Sequence, residues 1–292
     1  MKKKIFALAL ACAVSLSLLA GCGADNQPSG GNSQAPANSD AGTQASAPAE
    51  NVTIRVGATP APHVQILEQV VDVLAEQGIT LEIETINDYN TPNDGVEDGS
   101  LDANYFQHIT YMNGYNADNG THLVSVGEIH YEPLGLYAGK TDSIDALPDG
   151  AQIAVPNDTT NEARALLLLE QEGLLTLAEG AGINATVLDI VDNPKNLEFV
   201  ELEAAQIPTR LADVDMAVIN GNYAMGAGMS IADALAIESS DGTAATAYAN
   251  VVAVKEGNEN NEAILALVEA LKSDEVKAYM EETFQGSVVP LF

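Results

Sequence analysis

Three stretches decide the fold: Val52-Thr53-Ile54-Arg55-Val56, then Ile66-Leu67 with Val70-Val71 and Leu74, then Ile79-Thr80-Leu81-Glu82-Ile83. The first and third alternate apolar with polar residues, the period of a half-buried strand. The middle stretch repeats its apolar residues at helical spacing and is stopped by Gly78. Strand, helix and strand in so short a run make a βαβ unit and predict a parallel sheet with a right-handed crossover.

Working outward, Asp88 to Gly99 reads as turn-rich, Leu101–Phe106 as a strand end and 109–119 as a helix. A strand pair, Leu123–Ile129 with Leu134–Tyr137, follows. A new unit begins at Ser143, with a strand at Gln152–Val155 and a helix from Asn161 to Gly173. A third unit has strands at Phe199–Leu202 and Met216–Ile219, a helix around Ile207–Leu211 and a short helix after Asn222. A strand at Val251–Val254 and one amphipathic helix, Ala263–Phe284, end the chain. Repeated β/α units over this length fit two α/β lobes better than one continuous sheet. The expected lobes are 51–138 with 250–292, and 139–249, with crossings near Tyr137–Thr141 and Ala247–Val251.

The N-terminus is an address. Lys2, Lys3 and Lys4 precede an apolar run from Ile5 to Leu19, then Leu19-Ala20-Gly21-Cys22. This is the order of a secretory signal peptide (1–21), and the small residues before Cys resemble a lipobox, with Cys22 diacylated as the first mature residue. Residues 22–50 contain no Val, Ile, Leu or aromatic, so they predict a disordered tether. The other thiol, Cys12, would be discarded, leaving neither a disulfide nor a thiolate site.

The 292 residues carry 42 Asp+Glu against 11 Lys+Arg, a formal charge of −31. Such a field repels phosphate backbones, so nucleic-acid binding is set aside. There are three arginines: Arg55, Arg164 and Arg210. Arg55 lies on the polar face of a strand, and Arg210 stands beside Asp213 as a structural residue. Arg164 differs. It follows Val155-Pro156-Asn157-Asp158-Thr159-Thr160-Asn161-Glu162, where Thr159 and Glu162 match a capping box. A helix N-terminus after a strand attracts anions, and Asn161 and Arg164 share a face at i, i+3. The guanidinium suits a carboxylate ligand, or alternatively an ion pair with Glu162 or Asp158.

Ligands of open α/β sheets bind beyond the carboxyl ends of strands. Polar or aromatic residues there are His63, Tyr89, Phe106, His108, Asn220 and Asn222. Asn220 offers an amide to a ligand, or else serves an Asn-Gly turn. Phe106 and His108 either belong to the core or line, with Tyr89 and Tyr131, a slot suited to a thioether. The four histidines show no metal-ligand spacing, no calcium loop is present, and no catalytic motif appears, so no metal, cofactor or enzymatic activity is expected.

The motifs taken together resemble the NlpA/MetQ family, the methionine-binding lipoproteins of ABC importers. They include Asp102-Ala103-Asn104-Tyr105-Phe106-Gln107-His108, Val155-Pro156-Asn157-Asp158 with Thr160-Asn161 and Arg164, and Asn193-Pro194-Lys195-Asn196-Leu197. Glu201-Leu202-Glu203-Ala204, Val218-Ile219-Asn220 with Tyr223-Ala224, and Ser273-Asp274-Glu275-Val276 complete the set. The resemblance runs over nearly all of 52–292. It implies a periplasmic-binding-protein-like fold (type II) with the ligand enclosed between lobes. It also implies L-methionine as cargo, an ABC permease and its ATPase as partners, and a lipid-anchored place on the outer face of a bacterial membrane. Arg164 would then take the ligand carboxylate, Asn161 and Asn220 the head group, and Tyr89, Phe106 and His108 the side chain. Thr159 departs from the family's usual proline. A Gly-Met dipeptide or another amino acid is the related alternative; a divalent-metal receptor and a surface interaction lipoprotein are the remote ones.

Overall fold

The computed structural model describes residues 51–239 and 246–292. The expected signal peptide, Cys22 and the expected tether fall outside the described residues.

Strand β1 (Val52–Ala58) lies parallel to β2 (Ile79–Thr85) and to β3 (Ala103–His108). The βαβ reading therefore holds in its strand directions. With β4 (Leu123–Tyr131), β12 (Ala249–Lys255) and β13 (Val289–Pro290) these strands form a six-stranded sheet in the order β13-β4-β12-β3-β1-β2. A second, five-stranded sheet has the order β11-β5-β10-β6-β9. Its members are β5 (Gly135–Ala138), β6 (Gln152–Pro156), β9 (Glu198–Leu202), β10 (Met216–Ile219) and β11 (Ala236–Ile237). A small ribbon pairs β7 (Thr176–Leu177) with β8 (Ile190–Asp192).

Each of the two large sheets carries a core on both faces, and side-chain alternation sorts its residues between them. Along β12, Val252 and Val254 pack with Ile54, Val56 and Leu267, while Val251 and Ala253 pack with Phe106, Tyr111 and Met112. Along β10, Met216 and Val218 face Leu166 and Leu169, while Ala217 and Ile219 face Ile207 and Tyr223. Burial of each such Val, Leu or Ile stabilises the fold by about 1.5–3 kcal/mol. Two-sided burial also explains why these strands read as continuous apolar runs.

Four details differ from the sequence reading. Leu123–Ile129 and Leu134–Tyr137 are not a pair: β4 belongs to the first sheet, and β5 pairs with β10 and β11 in the second. The chain therefore leaves the first sheet at Glu132–Leu134, upstream of the expected 137–141, because Pro133 and its neighbours interrupt the ladder. The stretch read as turns contains a helix, Thr91–Asp98, with proline in its first turn. The terminal helix is two, Glu262–Leu271 and Asp274–Phe284, separated where Ser273 caps the second by accepting from the Val276 N–H. Finally, Asp158 caps the helix Thr159–Gln171 by accepting from the Asn161 N–H at 3.0 Å. Thr159 is inside that helix, and Glu162 accepts from Val187 N instead of closing a capping box.

Candidate ligand site between the two sheets

The site assembles where strands of both sheets end. A narrow cavity is lined from the first-sheet side by Tyr89, Phe106, Gln107, His108 and Tyr111. From the other side it is lined by Asn161, Arg164, Asn220, Gly221 and Asn222, with Glu132 and Asn250 completing the wall. All six residues singled out from the sequence (Arg164, Asn161, Asn220, Tyr89, Phe106 and His108) face this one space.

A chain of hydrogen bonds fixes the polar groups. His108 caps the helix Ile109–Asn119 by accepting the Tyr111 N–H on Nδ1 at 3.0 Å. Its proton therefore sits on Nε2, which donates to Asn161 Oδ1 at 3.1 Å. The same oxygen accepts from Asn220 Nδ2 at 2.8 Å, and Asn161 Nδ2 donates to Asp158 Oδ1 at 2.8 Å. Asn161 is thus a junction that orients its neighbours. Tyr89 Oη donates to Asn222 Oδ1 at 2.7 Å. Two buried side-chain atoms have no hydrogen-bond partner among the described residues: Asn220 Oδ1 and Asn222 Nδ2. Leaving such groups unpaired costs about 1–3 kcal/mol each, so the pair marks where a ligand's own donor and acceptor belong.

Arg164 is buried, and its partner is neither of the acids near it in sequence. Its Nε donates to Glu238 Oε2 at 2.7 Å and its Nη2 to Glu238 Oε1 and, at 2.7 Å, to the Glu132 carbonyl. The guanidinium lies 4.2 Å from the Tyr248 ring centroid. Burial alone would lower its pKa; the charge and hydrogen bonds of Glu238 outweigh that and hold it raised. Glu238 is further held by Tyr131 Oη at 2.5 Å and the Leu134 N–H at 2.8 Å. Of the other arginines, Arg210 makes an exposed ion pair with Asp213 at 3.3 Å, as its spacing suggested.

Behind the cavity lies a group that sequence spacing could not reveal. His63 Nδ1 meets Thr59 Oγ1 at 2.7 Å, and its Nε2 meets Asn250 Oδ1 at 3.1 Å and Glu132 Oε1 at 3.4 Å. His130 Nδ1 meets Tyr105 Oη at 2.5 Å and its Nε2 meets Glu132 Oε1 at 2.8 Å. The ligating atoms of His63, His130 and Glu132 lie within 4.8 Å of one another. Every ring nitrogen is already engaged by oxygen, so the three form a closed hydrogen-bonded network. Burial lowers the pKa of His63 to about 4 and of His130 to about 3, keeping both neutral. Burial also raises the Glu132 carboxyl to about 7, against the opposing pull of His63, Arg164 and the Asn222 N–H. Gly221 is required here: a Cβ at that position would lie 2.8 Å from Glu132 Oε2.

Aromatic rings form the apolar wall. Tyr89 stands 5.7 Å from Phe106, 5.4 Å from Tyr111 and 5.0 Å from Tyr223, centroid to centroid. Such a wall accepts an aliphatic or thioether side chain.

Two mixed sheets with a small, amphipathic cavity between them define a binding protein of the periplasmic type. The NlpA lipoprotein family model matches residues 54–292, and the chain belongs to that family. It is 42% identical over 240 residues to the D-methionine-binding lipoprotein MetQ of Salmonella typhimurium, covering 81% of this chain and 87% of the relative. Among solved structures, a lipoprotein from Ruminococcus gnavus is 55% identical with a TM-score of 0.81, over 82% of this chain and 99% of that one. A nutrient-binding protein from Burkholderia cenocepacia, bound to methionine, is 43% identical with a TM-score of 0.77, over 82% of this chain and all of that one.

Proposed function

We propose that this chain is the substrate-binding lipoprotein of an ABC importer, and that it captures methionine and delivers it to a membrane permease powered by an ATPase. Family membership and the methionine-bound relative support the cargo. The observation that carries the reading is the set of unused groups around the cavity. Asn222 Nδ2 is an unpaired donor for a carboxylate beside the Arg164 guanidinium, Asn220 Oδ1 is an unpaired acceptor for an ammonium, and Tyr89, Phe106, Tyr111 and His108 border the side-chain slot. Arg164, Asn161, Asn220, Tyr89, Phe106 and His108 are the residues assigned to the ligand, with Asn161 acting mainly through His108 and Asn220. The two sheets and their cores act as lobes that close on the ligand by hinge motion.

No helix among the described residues is long and apolar enough to cross a membrane. Attachment through a diacylated Cys22 at the outer membrane face accounts for how the receptor stays near its permease. The family is one of binding proteins, and no catalytic role is assigned.

Titration calorimetry with L-methionine, D-methionine, Gly-Met, leucine and a divalent cation tests the reading. Methionine at a hundred times its Kd stabilises the fold by about 2.7 kcal/mol, a rise in Tm of roughly 5–10 °C for a domain of this size. No heat and no shift with either enantiomer would overturn methionine as the cargo.

A further inference from the structure

The charges around the cavity do not balance. Arg164 is taken up by Glu238, which also receives Tyr131 Oη and the Leu134 N–H. Asp158, close by, accepts the Asn161 N–H and side chain and the Thr160 hydroxyl and does not line the cavity. That leaves Glu132, the one acid lining the cavity among the described residues. Its carboxylate is approached by His130 at 2.8 Å and His63 at 3.4 Å. Both imidazoles are neutral near pH 7 because burial depresses them. Neutral donors can orient a carboxylate, but they cannot cancel its charge.

The carboxylate is nevertheless held with care. His130 is braced by Tyr105, His63 by Thr59 and Asn250, and the absence of a side chain at Gly221 admits Glu132 Oε2 to the start of the helix Gly221–Gly226. The result is a fixed, buried carboxyl with no Lys or Arg bonded to it among the described residues, in the wall of a cavity whose neighbouring Asn220 Oδ1 is an unpaired acceptor. An acid held only by neutral donors, beside an acceptor with no partner, describes the place of a ligand's cation.

We propose that Glu132 is the residue that recognises the ligand's ammonium, so that the site selects free α-amino acids and rejects amino-blocked or amino-extended ones, with His63 and His130 as its positioning residues. This rests on the methionine reading for the ligand, not for the charge argument. Glu132 titrates to about 7 in the unliganded protein, and the groups facing it are His63, His130, the Asn222 N–H and Arg164, with Glu238 behind Arg164. An ammonium beside it favours the ionised form. Ligand binding near pH 7 then expels roughly half a proton, and affinity falls as pH drops below 7, approaching tenfold per pH unit.

The test compares methionine, N-acetylmethionine and 4-(methylthio)butanoate, which lacks the amino group, by calorimetry in buffers of different ionisation enthalpy. Both analogues should bind the unaltered protein at least ~30-fold more weakly than methionine, and the deaminated one should release no proton. Glu132→Gln should weaken methionine by a similar factor and leave the deaminated analogue unchanged. Equal binding of methionine and the deaminated analogue, or no proton release with methionine, would overturn the proposal without any variant. So would full methionine affinity in Glu132→Gln. If methionine fails but another free amino acid binds, the cargo reading falls, and the same series on that amino acid still decides the role of Glu132. If no free amino acid binds, both fall.

Discussion

Replacing Arg164 by alanine removes more than a ligand contact. Its guanidinium holds Glu238 through two nitrogens, and both side chains are buried, 4% and 8% exposed. Without it, Glu238 keeps only Tyr131 Oη and the Leu134 N–H, and a buried charge stands unpaired. Breaking such a pair from one side costs about 3–5 kcal/mol. That is a large share of the 5–15 kcal/mol that typically separates folded from unfolded chains. For a domain of this size it lowers Tm by roughly 6–20 °C. A binding loss in Arg164→Ala would therefore mix ligand recognition with damage to the fold. The informative comparison is Arg164→Met combined with Glu238→Gln, in which the charges leave together while Gln can still accept from Tyr131 and Leu134. Because removing both partners of a buried pair is often near neutral, the double variant should recover about 2–4 kcal/mol relative to the sum of the singles. Urea unfolding followed by circular dichroism gives the cycle, and titration with methionine of the folded double variant isolates the binding role. An Arg164→Ala variant within 1 kcal/mol of the parent, or strictly additive singles, would refute the coupling. Unchanged methionine affinity in the double variant would remove Arg164 from the ligand.

Three further outcomes follow from the same geometry. His63, His108 and His130 are depressed to about 4, 3 and 3, each chiefly by burial. The stability they contribute is complete above their unfolded pKa and is lost as pH falls from about 6.5, while Glu132, raised to about 7, works the other way between about 4.5 and 7. A net difference of two protons gives a loss of about 2.7 kcal/mol per pH unit near pH 5.5, read from urea midpoints; flat midpoints from pH 7 to 5 would contradict it. Gly221→Ala drives a methyl onto Glu132 and should cost about 1–3 kcal/mol as an overpacked site, with methionine affinity down at least tenfold; normal affinity by calorimetry would show that Glu132 yields easily. Asp158→Ala removes a helix cap worth about 1 kcal/mol and frees Asn161, so thermal melts should show that loss and titration a weaker methionine site, with Asp158→Asn restoring most of both.

Much of the fold was written locally. The alternation at 52–56, the helix at 109–119 and the apolar run Met216–Ile219 each report their own structure, since period and breakers act over a few residues. The cavity residues beyond strand ends were legible for the same reason. What stayed hidden depended on distant partners. Thr91–Asp98 has Pro92, Asn93, Asp94 and Gly95, a poor helical sequence, yet Asn93 is locked into a buried amide network with Asn104 and Gln107. Gly95 is also needed there, because a Cβ would come within 2.8 Å of Leu101. Glu238 is 74 residues from Arg164, and His63 and His130 are brought together on Glu132 from distant parts of the chain, so no spacing rule points to either group. The nearest sequence signal was Pro133, which could have placed the exit from the first sheet and drawn attention to the acid beside it.

The position of the two acids has a mechanical consequence. Glu132 follows the last residue of β4 and Glu238 the last residue of β11, so both stand on the strips of chain that run from one sheet to the other. In the proposed receptor the strip at 132–134 is where bending occurs, and the acid proposed to meet the cargo rides on the joint itself. Grip and posture then become one variable: a mutation that stiffens 132–134 to hold the clam shut should also fix how the cargo's charges are met, and no change there can tune release without touching recognition.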